Sequence, residues 1–270
     1  MTRLLQFHRV RGDLVEPSLE QVLEFCSRRP VERVFHEDIA RRRVGRFRAI
    51  ADERGALTAL CHLGVNLVPS GAGCAAFAEA AVRSETKMII GEESAVGELW
   101  SAVADRFPEP RADRPGQPVY AISEPPSAGH TALRFATLAD LDLLVPVCAA
   151  AHAEELGVDP LSRDPEGFTW RTRAQISEGR SWIWLEDGVV RFKAEASAWT
   201  PSVVQIQQVW VDPEVRGQGY GARGLRDLCR FLLTDTPTVT LFVRTENLPA
   251  IGLYESVGMR LVGRYRSLLL

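Results

Sequence analysis

A chain of 270 residues suggests two modest domains or one large one, and 46% hydrophobic with 25% charged residues is enough for a core in each half. The formal net charge of −3 gives no electrostatic basis for a nucleic-acid or membrane partner. Cys26, Cys61, Cys74, Cys148 and Cys229 are widely spaced, without a CxxC pair or a Cys/His cluster, which argues against a disulfide framework and against a metal site.

The N-terminal run MTRLLQFHRVRGDLVE lacks the apolar stretch of a signal peptide, and no segment reaches the ~18 apolar residues of a membrane span, so a cytoplasmic protein is expected. Ser18 followed by Gln21 is a capping box that opens a helix to about residue 27. Pro30 suits the first turn of a second helix ending near 42. Strand-like runs at 47–51, 57–61 and 65–68 precede a small-residue helix at 74–83, a strand at 87–90, a helix at 94–107 and a strand at 118–122. Prolines and glycines crowd 107–118 (FPEPRADRPGQP) and 124–129 (EPPSAG), so neither helix nor central strand is expected there. The second stretch is the expected boundary: one domain over 1–124, a linker at 125–129, and another domain over 130–270.

The order then recurs. A strand at 132–136 leads to helices at 139–155 and 165–178. Strands follow at 181–185, 189–199 and 203–211, with Asp187-Gly188 as a hairpin turn. A helix at 219–232, a strand at 239–243, a helix at 249–257 and a strand at 259–269 close the chain. Two helices, three strands, helix, strand, helix, strand occurs twice, which is read as a structural duplication.

Residues 209–225, VWVDPEVRGQGYGARGL, carry the chemistry. Asp212-Pro213 ends an apolar strand, and Gly217, Gly219 and Gly221 precede an amphipathic helix. Alternate glycines let a backbone approach a ligand closely. A helix start offers unpaired amides and about half a positive charge, so the segment suits a pyrophosphate, with Arg216 as a cation at its mouth. A Walker A loop would end in Gly-Lys-Ser/Thr, which is absent. A Rossmann loop needs GxGxxG, and the spacing here is RxxGxG.

Arg216, Gly219 and Gly221 fall on the [Q/R]xxGx[G/A] signature of the GNAT acetyltransferase superfamily, which this segment resembles. A second block, NLPAIGLYESVGM, is similar to that family at Asn247, Ala250, Leu253, Tyr254, Glu255 and Gly258, with Met259 where an aromatic is more usual. The resemblance covers residues 130–270. The first half resembles the N-terminal region of an actinobacterial GNAT subgroup. Its Gly71-Ala72-Gly73 turn lacks the arginine and the longer loop, so a second pyrophosphate site is not expected there.

The resemblance implies an α+β fold of two tandem GNAT-like domains, each a mixed, splayed sheet flanked by helices, with the N-terminal copy degenerate. It implies acetyl-CoA as co-substrate, no metal, and a V between the strands at 203–211 and 239–243 for the pantetheine arm. Val209, Trp210, Val211, Arg216, Gly217, Gln218, Gly219, Tyr220, Gly221, Ala222, Asn247, Ala250 and Tyr254 are the implied cofactor-binding residues. Plain core packing is the other reading of Val209 and Val211. The family's tyrosine at the Tyr254 position points at the thioester sulfur, which makes Tyr254 the candidate proton donor; packing on the cofactor is its other reading. At an ordinary pKa of about 10 it is protonated at neutral pH.

A base is harder to find. Some relatives place a glutamate on the strand before the loop, where this chain has Gln205, Gln207 and Gln208, and an amide takes no proton. Strand alternation puts Arg191, Lys193, Glu195 and Ser197 on one face. Glu195 is therefore the candidate base, with an ion pair to Lys193 or Arg191 at the inter-domain seam as its alternative and water-relayed deprotonation as a third route. His8, His36, His62, His130 and His152 have no metal-ligand spacing. In related folds the region of His152, Glu154 and Glu155 borders the acceptor pocket. Trp182, Trp184, Trp199 and Trp210 read as core, with one of them lining a pocket as the alternative.

The expected function is acetyl transfer from acetyl-CoA to a primary amine of a small molecule, peptide or protein, by a monomer or homodimer. Two alternatives stand: another acyl donor or acceptor, since the tandem layout is reminiscent of mycothiol synthase, and an acyl-CoA-binding regulator without turnover.

Overall fold

The computed structural model describes residues 14–270, so His8 and most of the N-terminal run lie outside the described residues. In the first half the elements are α1 (Leu19–Ser27), α2 (Val34–Arg41), β1 (Arg46–Ala51), β2 (Leu57–Leu63), β3 (Asn66–Gly71), α3 (Ala78–Val82), β4 (Met88–Glu92), α4 (Glu93–Val103) and β5 (Ala112–Ile122). The second half holds β6 (Arg134–Phe135), α5 (Leu141–Leu156), α6 (Pro165–Ser177), β7 (Ser181–Glu186), β8 (Val189–Trp199), β9 (Val203–Val211), α7 (Tyr220–Leu232), β10 (Thr238–Phe242), α8 (Leu248–Val257) and β11 (Arg260–Leu269). The repeated order read from the sequence is present.

Two compact units result: Met1–Pro118 together with Gly263–Leu270, and Val119–Val262. This departs from the boundary expected at 125–129, for a physical reason at each end. Residues 119–122 of β5 pair antiparallel with β10, and residues 265–269 of β11 pair antiparallel with β4. The expected linker is itself laced to α7: Gly129 donates its amide to Asp227 at 2.6 Å, and Arg230 donates to the Pro126 carbonyl at 2.9 Å.

The first unit starts on the predicted capping box, with Ser18 and Gln21 exchanging side-chain and backbone bonds. Its second helix begins four residues later than Pro30 suggested. Arg33 turns inward there, donating to the Phe25 carbonyl at 2.5 Å and to Ser70 Oγ at 3.1 Å, and fixes the path between α1 and α2. Strands β1, β2 and β3 form an antiparallel meander, and β3 runs parallel to β4. The proline-rich stretch contains a strand after all, because β5 starts at Ala112. Its neighbour is β11, and Ser267 bonds Gln117 at 2.6 Å while Arg266 pairs with Asp113. Pairing with a distant strand overrides the local preference of Pro115 and Gly116.

The second unit is a mixed sheet ordered β5-β10-β9-β8-β7-β6. Asp187 and Gly188, at φ of 52° and 77°, make the predicted hairpin turn between β7 and β8. On one face α7 buries Leu225, Leu228, Cys229 and Leu232, at helical spacing, against Phe192, Ile206 and Leu241. On the other face Leu144 and Cys148 of α5 and Ile176 of α6 pack on Ile183. Gly224 lets α7 lie close to the sheet: a Cβ there would meet the Phe192 ring at 2.5 Å. Alanine inside a helix normally gains about 1 kcal/mol over glycine, whereas forcing an extra carbon into a packed core costs about 1–3 kcal/mol. Gly224→Ala is therefore expected to lower the denaturation midpoint, and an unchanged or raised midpoint would contradict this packing.

The parallel pairing of β9 with β10 covers only residues 203–205 against 238–240. Beyond Gln205 the two strands part, so the sheet is splayed where the sequence placed a V.

Candidate functional site

Helix α7 begins at the open end of that splay. Its N-cap is Gly219 at φ +84°, which has no side chain to cap the helix. Among the described residues no protein hydrogen bond reaches the amides of Gly217, Gly219, Tyr220, Gly221 or Ala222. Such amides ordinarily find a cap, water or a ligand. Space above Gly217 and Gly219 is open, while Gly221 is close-packed, its missing Cβ lying 3.2 Å from Leu253 of α8 and from Val211 of β9. The loop is thus braced underneath and bare on top, which fits a diphosphate.

The predicted residues divide into those that face this opening and those otherwise engaged. Val209 and Val211 are half-buried and pack on the α7 core. The Trp210 side chain is buried on the other face with Ala151 and Val190. Gln218 donates to the Glu214 carbonyl at 3.0 Å. Tyr220 turns towards β7, stacking on Trp184 with centroids 4.7 Å apart and donating to Glu186 at 2.5 Å. Asn247 caps α8, its side-chain oxygen accepting from the Ala250 amide at 3.3 Å. Arg216 is not a free cation: both Glu154 oxygens lie 2.9–3.0 Å from its Nη2, and its Nε donates to the Val211 carbonyl.

Tyr254 lies in the core of the V, with its ring centroid 6.2 Å from that of Tyr120. Among the described residues no protein group bonds its hydroxyl. Burial, helped by the Glu155 carboxylate, holds its pKa well above that of a free tyrosine. Glu195 lies instead in a buried cluster beneath α5. Lys193 Nζ is 2.5 Å from Glu195 and 3.2 Å from Cys148 Sγ, and the Cys148 thiol reaches Glu195 at 3.4 Å. Burial presses the Lys193 ammonium towards neutrality, but Glu195 and Cys148 outweigh it, so its pKa is raised. Burial likewise pushes the Cys148 thiol up to about 11. The ion pair with Lys193, one alternative for Glu195, is present inside the second unit.

One feature was missed. Lys193 and Glu195 of β8 face Trp210 and Gln207 of β9, so β9 carries an extra residue. Gln208 is at φ 51° and forms a bulge. Its amide is held by Glu155 at 2.5 Å. The signal was available: Val204 and Ile206 are followed by Val209 and Val211, a gap of three where strict alternation requires two.

Residues 149–259 match the Acetyltransferase (GNAT) family model. This segment is a GNAT acetyltransferase domain. Residues 46–144 match a domain of unknown function, DUF4081. Over 93 residues the chain is 32% identical to peptidyl-lysine N-acetyltransferase YjaB of Salmonella typhimurium, covering 30% of this chain and 61% of that protein. Over 66 residues it is 41% identical to N-alpha-acetyltransferase RimI of Mycobacterium tuberculosis, covering 24% and 40%. The chain thus spans less than two thirds of these relatives. A tandem GNAT protein from the clavulanic acid biosynthesis pathway matches in structure over 96% of this chain and 98% of its own, with a TM-score of 0.55 and 12% identity. That likeness concerns the fold.

The tandem likeness gives meaning to the matching junction in the first unit. There Glu98 accepts from the amides of Gly73 and Cys74, both at 2.7 Å. A carboxylate of the chain fills the place that is bare in the GNAT domain. No three-residue metal-binding group, and no helix long and apolar enough to cross a membrane, is found among the described residues.

The Arg216–Glu154 pair leads to a prediction. Both side chains are about half exposed, so their mutual attraction is weak, yet Glu154 competes with any anion for the guanidinium. Glu154→Ala is expected to tighten acetyl-CoA binding about two- to fivefold at low salt, a change of ~1 kcal/mol or less. Titration calorimetry giving weaker binding would show that Glu154 assists the cofactor instead.

Proposed function

We propose that the protein transfers an acyl group from acetyl-CoA to a primary amine of a small molecule or peptide. The observation that carries this reading is the uncapped start of α7 beside the unpaired edge of β9, in a domain of the GNAT family. Relatives acting on peptide amines support a peptide acceptor.

When bound, acetyl-CoA supplies an activated thioester. The chain does the rest. The amides of Gly217 and of Gly219 to Ala222, with Arg216, hold the diphosphate; the backbone of Val209 and Val211 orients the arm; Asn247 and Ala250 fix the start of α8, which carries Tyr254. Positioning both reactants in one cleft supplies several kcal/mol. Tyr254 donates the proton that the departing sulfur requires. We assign Glu195 to holding Lys193, since a buried ammonium deprived of its partner costs about 3–5 kcal/mol, and not to proton transfer. An alkyl ammonium with a pKa of about 10.4 is mostly charged at neutral pH, and Glu155, fixed by Gln208 beside the bulge, is the carboxylate assigned to take its proton, directly or through water.

Thiol release from acetyl-CoA against a panel of amines tests the reading: free amino acids, polyamines, and peptides with a free α-amine or lysine. Release matched by acylated amine is expected for at least one. Saturable acetyl-CoA binding with no release for any acceptor would leave an acyl-CoA-binding regulator in its place.

A further inference from the structure

At the opposite end of α7 from the glycine loop, the second unit holds a cavity of about 350 Å³. Its apolar walls include Leu133, Phe135, Trp182 and Phe231. The rings pack edge to face and tilted, with centroids 5.0 Å apart for Phe135–Phe231 and 5.3 Å for Phe135–Trp182. Phe135 and Phe231 are 40% and 38% exposed, unusual for two phenylalanines side by side on a surface.

The polar groups at this cavity are unevenly matched. The acceptor, Asp227, is used up: one oxygen takes the Gly129 amide, and the other takes the Thr131 amide and hydroxyl. Those bonds hold its pKa down against the effect of burial, so it stays charged and occupied. The donors are in surplus. The Trp182 indole N–H is buried without a partner among the described residues, and a buried donor left unmet is destabilising. Arg230, exposed at the rim, donates among the described residues to the Pro126 carbonyl alone, leaving most of its five N–H groups available. Arg134 is neutralised by a bidentate pair with Asp140 and adds little charge.

Aromatic walls, an unmet donor on a lining residue and a rim guanidinium without an ion-pair partner among the described residues together select an apolar body with an anionic acceptor. We propose that this cavity is a binding site for a small aromatic carboxylate, its ring against Phe135 and Phe231 and its carboxylate on Arg230, with the Trp182 N–H bonded once the exposed Phe135 ring turns aside. The site is separate from the acetyl-CoA cleft and does not depend on the function proposed above.

Phenylacetate and indole-3-acetate are suitable probes, titrated into the full chain and followed by Trp fluorescence and by calorimetry. Saturable binding is expected, with the matching amides phenylacetamide and indole-3-acetamide bound more weakly. Arg230→Ala is expected to weaken the carboxylates roughly tenfold, and Trp182→Phe, which keeps an aromatic ring, by a smaller factor. Gly219→Asp serves as the separating control, because it disables the cofactor loop and is expected to leave carboxylate binding unchanged. Absence of saturable binding by either acid, equal affinity in both cavity variants, or loss of binding in Gly219→Asp would each overturn the proposal.

Discussion

Gly219→Asp is expected to weaken acetyl-CoA binding at least about a hundredfold, a loss of ~2.7 kcal/mol or more, while leaving the fold intact. Two effects combine. The residue sits at φ +84°, which aspartate tolerates better than most side chains, so the backbone penalty is smaller than for most residues. The open space above Gly219 accepts the carboxylate without a clash. There it caps the first-turn amides, much as Glu98 does for Gly73 and Cys74 in the first unit, and it places a negative charge where the diphosphate is meant to lie. Like charges at that range cost several kcal/mol. Gly219→Asn separates charge from shape: it has the same size and tolerates the same φ, so only a few-fold loss is expected. Calorimetry with both variants decides. Intact binding in the aspartate variant would remove the loop from the cofactor site. The same titration on the unaltered chain is expected to give one acetyl-CoA per chain, since the first unit's junction is already filled by Glu98.

How far the sequence foretold this arrangement depended on how local each determinant is. The glycine spacing before α7, the capping box at Ser18, and the turn at Asp187-Gly188 act within a few residues, and each was legible. The strand at Ala112 was not, because Pro115 and Gly116 argue against it locally while β11, some 150 residues away, imposes it. The division into units differs from the expected boundary for the same reason. The bulge at Gln208 is intermediate: its cause is the register against Lys193 and Glu195, yet it left a trace in the spacing of Ile206 and Val209. The pairs Arg216–Glu154 and Gln208–Glu155 join segments more than fifty residues apart, and no spacing rule announces them. The polar face of β8 followed from strand alternation; the partner that Lys193 finds besides Glu195 is Cys148 of α5, which alternation does not announce. The carboxylates at the bulge, Glu154 held by Arg216 and Glu155 held by Gln208, arrive on the end of α5, which strand alternation does not reveal.

Tyr254→Phe is expected to lower kcat about a hundredfold, the lower end of the 10²–10⁴ range for general acid catalysis, with KM for acetyl-CoA changed less than about twofold. Phenylalanine keeps the ring against Tyr120 and Val257, so packing survives. Only the hydroxyl is lost, and it is the part with no protein partner among the described residues. The pH dependence follows from the same geometry. Activity requires the protonated phenol, and that form is lost only as pH rises through the folded pKa, which burial and then Glu155 raise above the ordinary value of about 10. The wild-type kcat is thus expected to show no alkaline fall below pH ~10 from this group. Glu155→Gln removes the charge contribution to that shift while burial remains, so Tyr254 should titrate somewhat lower but still above a free tyrosine. The same substitution is expected to lower kcat at neutral pH, because an amide cannot take the amine's proton. A Tyr254→Phe enzyme within threefold of wild-type kcat would mean that the departing sulfur takes its proton from water, and that Tyr254 only lines the cofactor's path.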